Sequence, residues 1–490
     1  MGNKLVTDMN EIEAFNYFMK NSSYCTLDLP EYFNFKPLLD NIFLQLNGRK
    51  LSNFNSNISV ENVENVNYKL VSNKDGKFAW RPYELIHPAL YVQLVKDITE
   101  RNNWNLICKR LKCLESRKIV CCSMLFDSDD DSKLPIIINW WEKFEQESIA
   151  TALEFEYIAC ADITDCYGSI YTHTISWAIH GKKIAKNNKR DKKLIGNVID
   201  KSLQRMHYNQ TNGIPQGSKL TDFLAEILLT YADNELAHKL RKLRIKEYKI
   251  LRYRDDYKIF AHDSVTINNI LKALTEVLLD INLKVNATKT FISDDIISNS
   301  IKNDKIYAIE NLSDKNISLQ KYLLAVRDMV KKYNSSGAVV TCLKKLYVEK
   351  IKNQKNNIEY SGQMISILID IMVINPKTYS VCIAIVSKLL LSLSSSERKR
   401  IIGLIRVKFS KKANTEYLDV WLQRLTVVDN KYVKYNAKLC KKIYCGLIKI
   451  WDSTWTNLNI KEELIIDNNI LKNIKPVIET STLKNEVHES

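Results

Sequence analysis

Two adjacent aspartates, Asp255 and Asp256, interrupt two stretches that favour extended backbone, Ile250 to Tyr253 before them and Tyr257 to Ala261 after. Both flanks are rich in aromatic and β-branched residues, so the pattern predicts a tight hairpin with the acids at its tip. Neighbouring carboxylates repel each other. Such a pair is tolerable when water solvates it or when a divalent cation neutralises it, and hard oxygen ligands of this kind suit Mg²⁺. Taken by itself, an Asp-Asp pair is more often a wet turn. The choice depends on whether the rest of the chain supplies a third carboxylate and a substrate pocket.

A third carboxylate is present. Glu156 to Asp162 is a near-continuous apolar run ending in an acid, as expected of a central strand delivering a carboxylate to a sheet edge, and Asp165 and Tyr167 follow closely. Asn212-Gly213-Ile214-Pro215-Gln216-Gly217-Ser218 reads as a glycine-rich turn opening a long helix. Apolar residues at Leu220, Phe223, Leu224, Ile227, Leu228, Tyr231, Leu236 and Leu240 would give that helix one buried stripe. Ser218 is a candidate cap, and N–H groups at such a helix start suit a phosphate or the face of a base pair. After the hairpin come a helix from about Val265 to Ile281, then Leu283 to Asn286 and Lys289 to Ile292 as a strand region with a lysine. Upstream, Lys74 to Lys77 reads as a turn, Phe78 to Ile86 as extended, and Pro88 to about Thr99 as a helix. Basic residues on that hairpin either reach over a triphosphate or solvate a surface. The element order predicts an α+β layer, an antiparallel sheet backed by helices.

Length and charge bound the rest. A chain of 490 residues is too long for one compact core, so two or three domains are expected. A formal charge of +16 favours a polyanionic partner, nucleic acid before membrane. Lys182 to Arg205 carries nine Lys or Arg against two Asp, and a helix from about Asp191 to Met206 would turn a basic face to phosphates or to water. Asp127 to Ser132 lacks the glycine and distant glutamate of a calcium loop and reads as a solvated connector. Eleven cysteines without a C-x-x-C pair read as thiols in a reducing cytosol. No signal-peptide core and no apolar run of membrane length is visible, so a soluble cytoplasmic protein is expected. From about Ser318 the chain reads as nearly all helical. Arg398-Lys399-Arg400, Arg406, Lys408, Lys411 and Lys412 fit phosphate contacts or a solvated face.

Over about residues 68 to 295 these segments resemble the palm and fingers of reverse transcriptases. Ala161-Asp162 with Tyr167 is similar to the first catalytic motif, Gly213 to Ser218 to the second, Tyr253-Arg254-Asp255-Asp256 to the Tyr-x-Asp-Asp box, and Leu283 to Thr290 to the lysine-bearing motif that follows. Lys74 and Arg81 resemble the paired basic residues of the fingers. The arginine in the box, the run Ser169 to Ala178, Arg81-Pro82 followed by His87-Pro88, and Asn414 to Arg424 resemble the bacterial Abi-like, defence-associated ("unknown group") enzymes.

The resemblance implies a right-hand polymerase palm and fingers over 66–310, after an N-terminal region 1–65 of unclear role. An all-α domain over 311–490, with a repeat-like character, would stand in place of a thumb. It implies metal ligation by Asp162, Ile163, Asp255 and Asp256, holding two Mg²⁺ ions about 3.5–4 Å apart, with Mn²⁺ as a substitute. Lys74 and Arg81 would neutralise the triphosphate, Asp165 would add a main-chain phosphate contact, and Lys289 would act as general acid on pyrophosphate. Tyr167 would exclude a ribose 2′-hydroxyl, and Gln216 and Gly217 would pack on the nascent base pair. Implied partners are dNTPs, an RNA template in the form of a non-coding RNA, a DNA product, and another copy or a second reverse transcriptase subunit, with no membrane. The implied role is RNA-directed DNA synthesis in antiviral defence. Template-independent or protein-primed synthesis by the same site, and a catalytically idle nucleic-acid-binding scaffold, stay open.

Overall fold

Residues 249–261 form the expected hairpin at the centre of a five-stranded sheet. The computed structural model describes residues 4–74, 77–127, 141–313, 317–334, 336–354, 358–430 and 432–479. Its strands are β1 (Lys4–Leu5), β2 (Tyr68–Asn73), β3 (Trp80–Leu85), β4 (Ile119–Cys121), β5 (Phe126–Asp127), β6 (Tyr157–Asp162), β7 (Lys249–Tyr253), β8 (Asp256–Ala261) and β9 (Phe291–Ser293). The sheet order is β4-β7-β8-β6-β9, antiparallel except for the β4–β7 pair. β2 and β3 form a separate antiparallel hairpin, whose Asp75 and Gly76 lie outside the described residues. Of the acidic connector, Asp127 pairs with Lys20, and positions 128 to 132 also lie outside the described residues.

The helix after Ser218 runs Lys219–Lys242, with the Ser218 hydroxyl accepting from Thr221 N–H at 3.2 Å. From Leu220 to Asp233 it is buried on all sides rather than along the expected single stripe, while Glu235, His238, Arg241 and Lys242 near its end are exposed. Helices Asn21–Tyr24, Arg101–Leu114, His173–His180 and Ser264–Asp280 all pack against it, together with β4, so Asp222, Glu226, Thr230 and Asp233 are buried along with its leucines. The basic helix begins later than expected, at Ile195, because the Asp191 carboxylate accepts from Lys193 N–H in a preceding turn. Its Lys201 and Arg205 pair with Glu61, which satisfies part of the basic face internally. Leu283 to Asn286 makes only a single bridge, Val285 to Ile163, and the regular strand is β9. Lys289 sits in the turn between them.

Helices Leu319–Lys332, Ala338–Leu346, Ser361–Ile374, Tyr379–Leu390, Ser395–Ser410, Glu416–Thr426 and Lys438–Tyr444 make up most of the C-terminal half. Asn303–Leu312 packs on the first two of them, so this helical layer starts from about residue 303. Beyond Tyr444 the chain returns to the N-terminal segment through bridges Phe33–Ile466 and Asn55–Thr456. One buried apolar cluster runs from Val6 to Ile478. A smaller one, including Phe144, Phe155, Leu251 and Phe260, covers part of the sheet.

No helix among the described residues is long and apolar enough to cross a membrane.

Candidate active site

The sheet register brings the acids together. Asp162, the last residue of β6, stands opposite Asp256, the first of β8, and Asp255 occupies the turn joining β7 to β8. Arg254 takes a left-handed backbone there (φ 55°), which gives a two-residue hairpin its required twist. The Ile163 N–H donates to the Asp255 carbonyl at 3.1 Å and ties the two strand ends at the acids. Asp162 accepts from Lys289 Nζ at 2.9 Å and from Asn286 Nδ2 at 3.2 Å, while its carbonyl accepts from Asn286 N–H at 2.7 Å. Burial, and then the charge of Asp162, raises the Asp255 carboxyl above its ordinary range. Burial and then Asp255 push Asp256 up to about 6. The three acids therefore share one field that is costly without a cation.

Beneath the turn lies an ionic network that local patterning does not reveal. Arg252, fully buried in β7, donates to Asp233 Oδ2 at 2.7 Å and Glu226 Oε2 at 2.8 Å of the long helix. Ser123 donates to Glu226 and accepts from Arg254 N–H at 2.8 Å, and so fixes the turn's backbone. Asp222 accepts from Arg254 Nη2 at 3.1 Å and from the Tyr167 hydroxyl at 2.6 Å. Tyr167 is thus held at its tip by the long helix and at its carbonyl by Ile214 N–H, 2.9 Å away.

The glycine-rich turn abuts the fingers hairpin. Gln216 carbonyl accepts from Glu84 N–H at 2.8 Å, and Gly217 carbonyl accepts from Thr26 N–H at 2.9 Å. Gly217 has φ 132°, a conformation that disfavours a side chain. Asp165 lies exposed in the turn after β6 with φ 42°, its carboxylate over Gly168, where a Cβ would fall 2.3 Å from Oδ2. Lys74 closes the fingers hairpin through its N–H to Ala79 carbonyl, and Arg81 lies in β3 opposite Ser72. The Lys74 ammonium is lowered by burial, Arg81 and Lys289, against the pull of Asp162 and Asp255, so the fingers cations and the acids act on one another. Asn286, Asp222, Arg252 and Arg254 take part in this arrangement, but sequence reasoning gave none of them a role at the site. Arg254 and Asn286 had a sequence signal, one inside the Tyr-Arg-Asp-Asp box and the other three residues before Lys289.

A family model described as "Reverse transcriptase (RNA-dependent DNA polymerase)" matches residues 103–363, more than half of the 490. The chain belongs to the reverse transcriptase family. All three acids, Tyr167, the glycine-rich turn and Lys289 of this reverse transcriptase fall within the match, and Lys74 and Arg81 precede it. No curated protein matches the chain. Among solved structures, telomerase from Candida albicans with a TWJ fragment of telomeric RNA is 14% identical, covering 79% of this chain and 70% of that one with a TM-score of 0.33. Apo telomerase from Candida tropicalis is 12% identical, covering 78% and 72%, with a TM-score of 0.35.

Reverse transcriptases use divalent metal ions, and the donor chemistry here fits them in part. Oxygen donors alone line the strand ends, as hard cations require. Among the described residues, however, no three acidic, His or Cys side chains converge on one point as a ready-made cage. Mg²⁺ is commonly held by one or two carboxylates together with substrate phosphates and water, which two adjoining strand ends can provide. Lys289 and Asn286 occupy the Asp162 oxygens, so an ion there would turn the Lys289 ammonium outward.

Proposed function

We propose that this reverse transcriptase makes DNA from dNTPs on an RNA template, with Asp162, Asp255 and Asp256 as the carboxylates that hold Mg²⁺, and with the main chain of Ile163 beside them. The observation that carries this reading is the Asp162–Asp256 register, with Asp255 in the adjoining turn. When bound, the metal supplies charge neutralisation and activation of a primer hydroxyl. The residues of the chain do the positioning. Lys74 and Arg81 face the acids from the fingers and attract the triphosphate. Lys289, half-exposed and beside Asp162, is placed to give a proton to departing pyrophosphate. Tyr167, braced by Asp222, offers a rigid ring against a 2′-hydroxyl. The turn at Gln216 and Gly217, tied to β3, supports the base pair, and Asp165 N–H adds a phosphate contact.

The finer reading is antiviral defence in the cytoplasm, with a non-coding RNA as template. It rests on the resemblance of the Tyr-Arg-Asp-Asp box and the Asn414 to Arg424 stretch to defence-associated enzymes. The test is incorporation of each labelled dNTP in Mg²⁺, with and without RNase, beside an Asp255→Ala/Asp256→Ala control. Incorporation by the wild type alone, abolished by RNase, is the expected result. RNase-resistant incorporation would replace the RNA template with template-free or protein-primed synthesis. Antiviral protection that survives the double substitution would overturn the enzymatic reading of its role.

A further inference from the structure

Lys74 and Arg81 of the fingers hairpin also line a cavity of about 290 Å³, whose other walls the catalytic description does not use. Three parts of the chain wall it: the N-terminal segment at Asp28, the fingers at Lys74 and Arg81, and the helical half at Lys344 and Lys377. Four cations thus face one carboxylate. Lys344 comes from the buried side of helix Ala338–Leu346. Lys377 comes from the short turn Pro376–Thr378, which Asn375 caps through Lys377 N–H at 3.2 Å. Lys74 also links this cavity to the catalytic acids, since it responds to both Asp162 and Asp255.

The electrostatics point the same way. The Lys377 side chain is accessible from the cavity, yet enough protein surrounds it that burial, with Arg81, Lys302 and Lys74 and against Asp304, lowers its ammonium to about 8. Lys302 in turn acts on Asp256. Lys302 thus acts on both Asp256 and Lys377, and Lys74 on Lys377 while it feels Asp162 and Asp255, at a space that the helical half helps to wall. A phosphate chain in this space would meet several of these cations at once, each a charge-assisted contact. The volume lies at the small end of ligand pockets, too small for a duplex.

We propose that Lys377 and Lys344 of the helical half complete a pyrophosphate-binding site with Lys74 and Arg81. This inference rests on the polymerase reading of the neighbouring acids. In that reaction the primer 3′-oxygen bonds to the α-phosphorus and its proton passes to water. The α–β bridging oxygen leaves with the bonding electrons as part of pyrophosphate. The cavity holds the pyrophosphate unit as the β,γ end of the incoming triphosphate, as the released product, or as both.

The first test is calorimetric titration of the full-length protein with inorganic pyrophosphate in EDTA, which needs no catalysis. Lys377→Gln is expected to weaken binding about tenfold, the loss of one charge-assisted contact, and Lys377→Arg to restore most of it. Asp255→Asn/Asp256→Asn should bind at least as tightly as the wild type, because it removes only negative charge. Thermal melts of each variant separate lost binding from lost folding. Equal affinity of wild type and Lys377→Gln, or no binding by either, overturns the site. The second test is kinetic and identifies the source. A raised KM for dNTP alone assigns the cavity to the substrate's tail, weaker inhibition by added pyrophosphate alone assigns it to the product, and a change in both assigns it to both. An inactive enzyme that still shows the Lys377-dependent titration would refute the polymerase reading and leave the anion site standing.

Discussion

Asp222 joins the turn of the Tyr-Arg-Asp-Asp box to Tyr167, one carboxylate oxygen on each partner. A ring that rejects a 2′-hydroxyl must resist displacement, and a charge-assisted hydrogen bond at its tip supplies that resistance. Asp222→Asn keeps the volume but loses the ion pair to Arg254, and we expect discrimination between dNTP and rNTP, measured as the ratio of kcat/KM values, to fall about tenfold. Tyr167→Phe, which keeps the ring and loses the bond, should fall by a similar factor, and unchanged ratios in both would make Asp222 a structural residue only. Asp256 allows a test through pH. Its carboxyl, near 3.8 ordinarily, is raised to about 6 in the folded chain, so the folded state holds that proton across roughly pH 4–6 when the unfolded state has lost it. The resulting stabilisation is present below pH 4 and is lost as pH rises through 6. Asp256→Asn should therefore raise unfolding free energy at pH 7.5 by about 1–3 kcal/mol, with little gain at pH 4, while it abolishes incorporation. In the wild type at low Mg²⁺, incorporation should fall on the acid side with a midpoint near pH 6 that moves lower as Mg²⁺ is raised, since metal binding competes with the proton. A midpoint that does not respond to Mg²⁺ would sink that assignment.

At the scale of elements, the hairpin and its acids were legible because their signal is local: two β-prone flanks and a polar break, all within thirteen residues of one another. The capped start of the long helix was legible for the same reason. Its burial was not, because Asp222, Glu226 and Asp233 look like the polar face of a surface helix until β7 and its Arg252 are laid against them. Nothing within either segment encodes that pairing. Burial, helped by the Glu226 charge, raises the Asp233 carboxyl even with Arg252 beside it, whereas Glu226, with Arg252, Ser123 and Cys121 around it, is lowered overall. Arg252→Met would leave two buried carboxylates without their cation, and we expect a loss of about 3–5 kcal/mol in urea denaturation at pH 7.5. The variant should also lose incorporation, because the same network holds the Arg254 turn through Ser123. A loss below about 1 kcal/mol would show that the acids take up protons at little cost and that the network does not support the turn.

At the scale of the whole molecule, the N-terminal segment, the palm and the helical half share one core, and the joints between them are specific. Trp421 Nε1 and Tyr417 OH both donate to the Asp28 carbonyl, at 3.1 and 2.8 Å, and Arg424 grips Glu31 with its Nε and Nη2 while Nη1 donates to Lys475 carbonyl at 3.0 Å. Contacts spanning nearly four hundred residues leave no periodicity for a reader of the sequence, which is why residues 1–65 showed no task there and why the Asn414 to Arg424 stretch was visible only as a familiar string. Arg424 is almost fully buried, so removing its partner strands a guanidinium. Glu31→Leu should therefore cost about 3 kcal/mol, and the double substitution Glu31→Leu/Arg424→Leu less than the single one. Because the core is continuous, calorimetry of the full chain should show the palm and the helical half unfolding in one transition that Glu31→Leu moves as a whole. Two resolved transitions, only one of them shifted by Glu31→Leu, would instead make the helical half an independent unit and remove the reason for expecting its lysines to stay fixed beside the fingers.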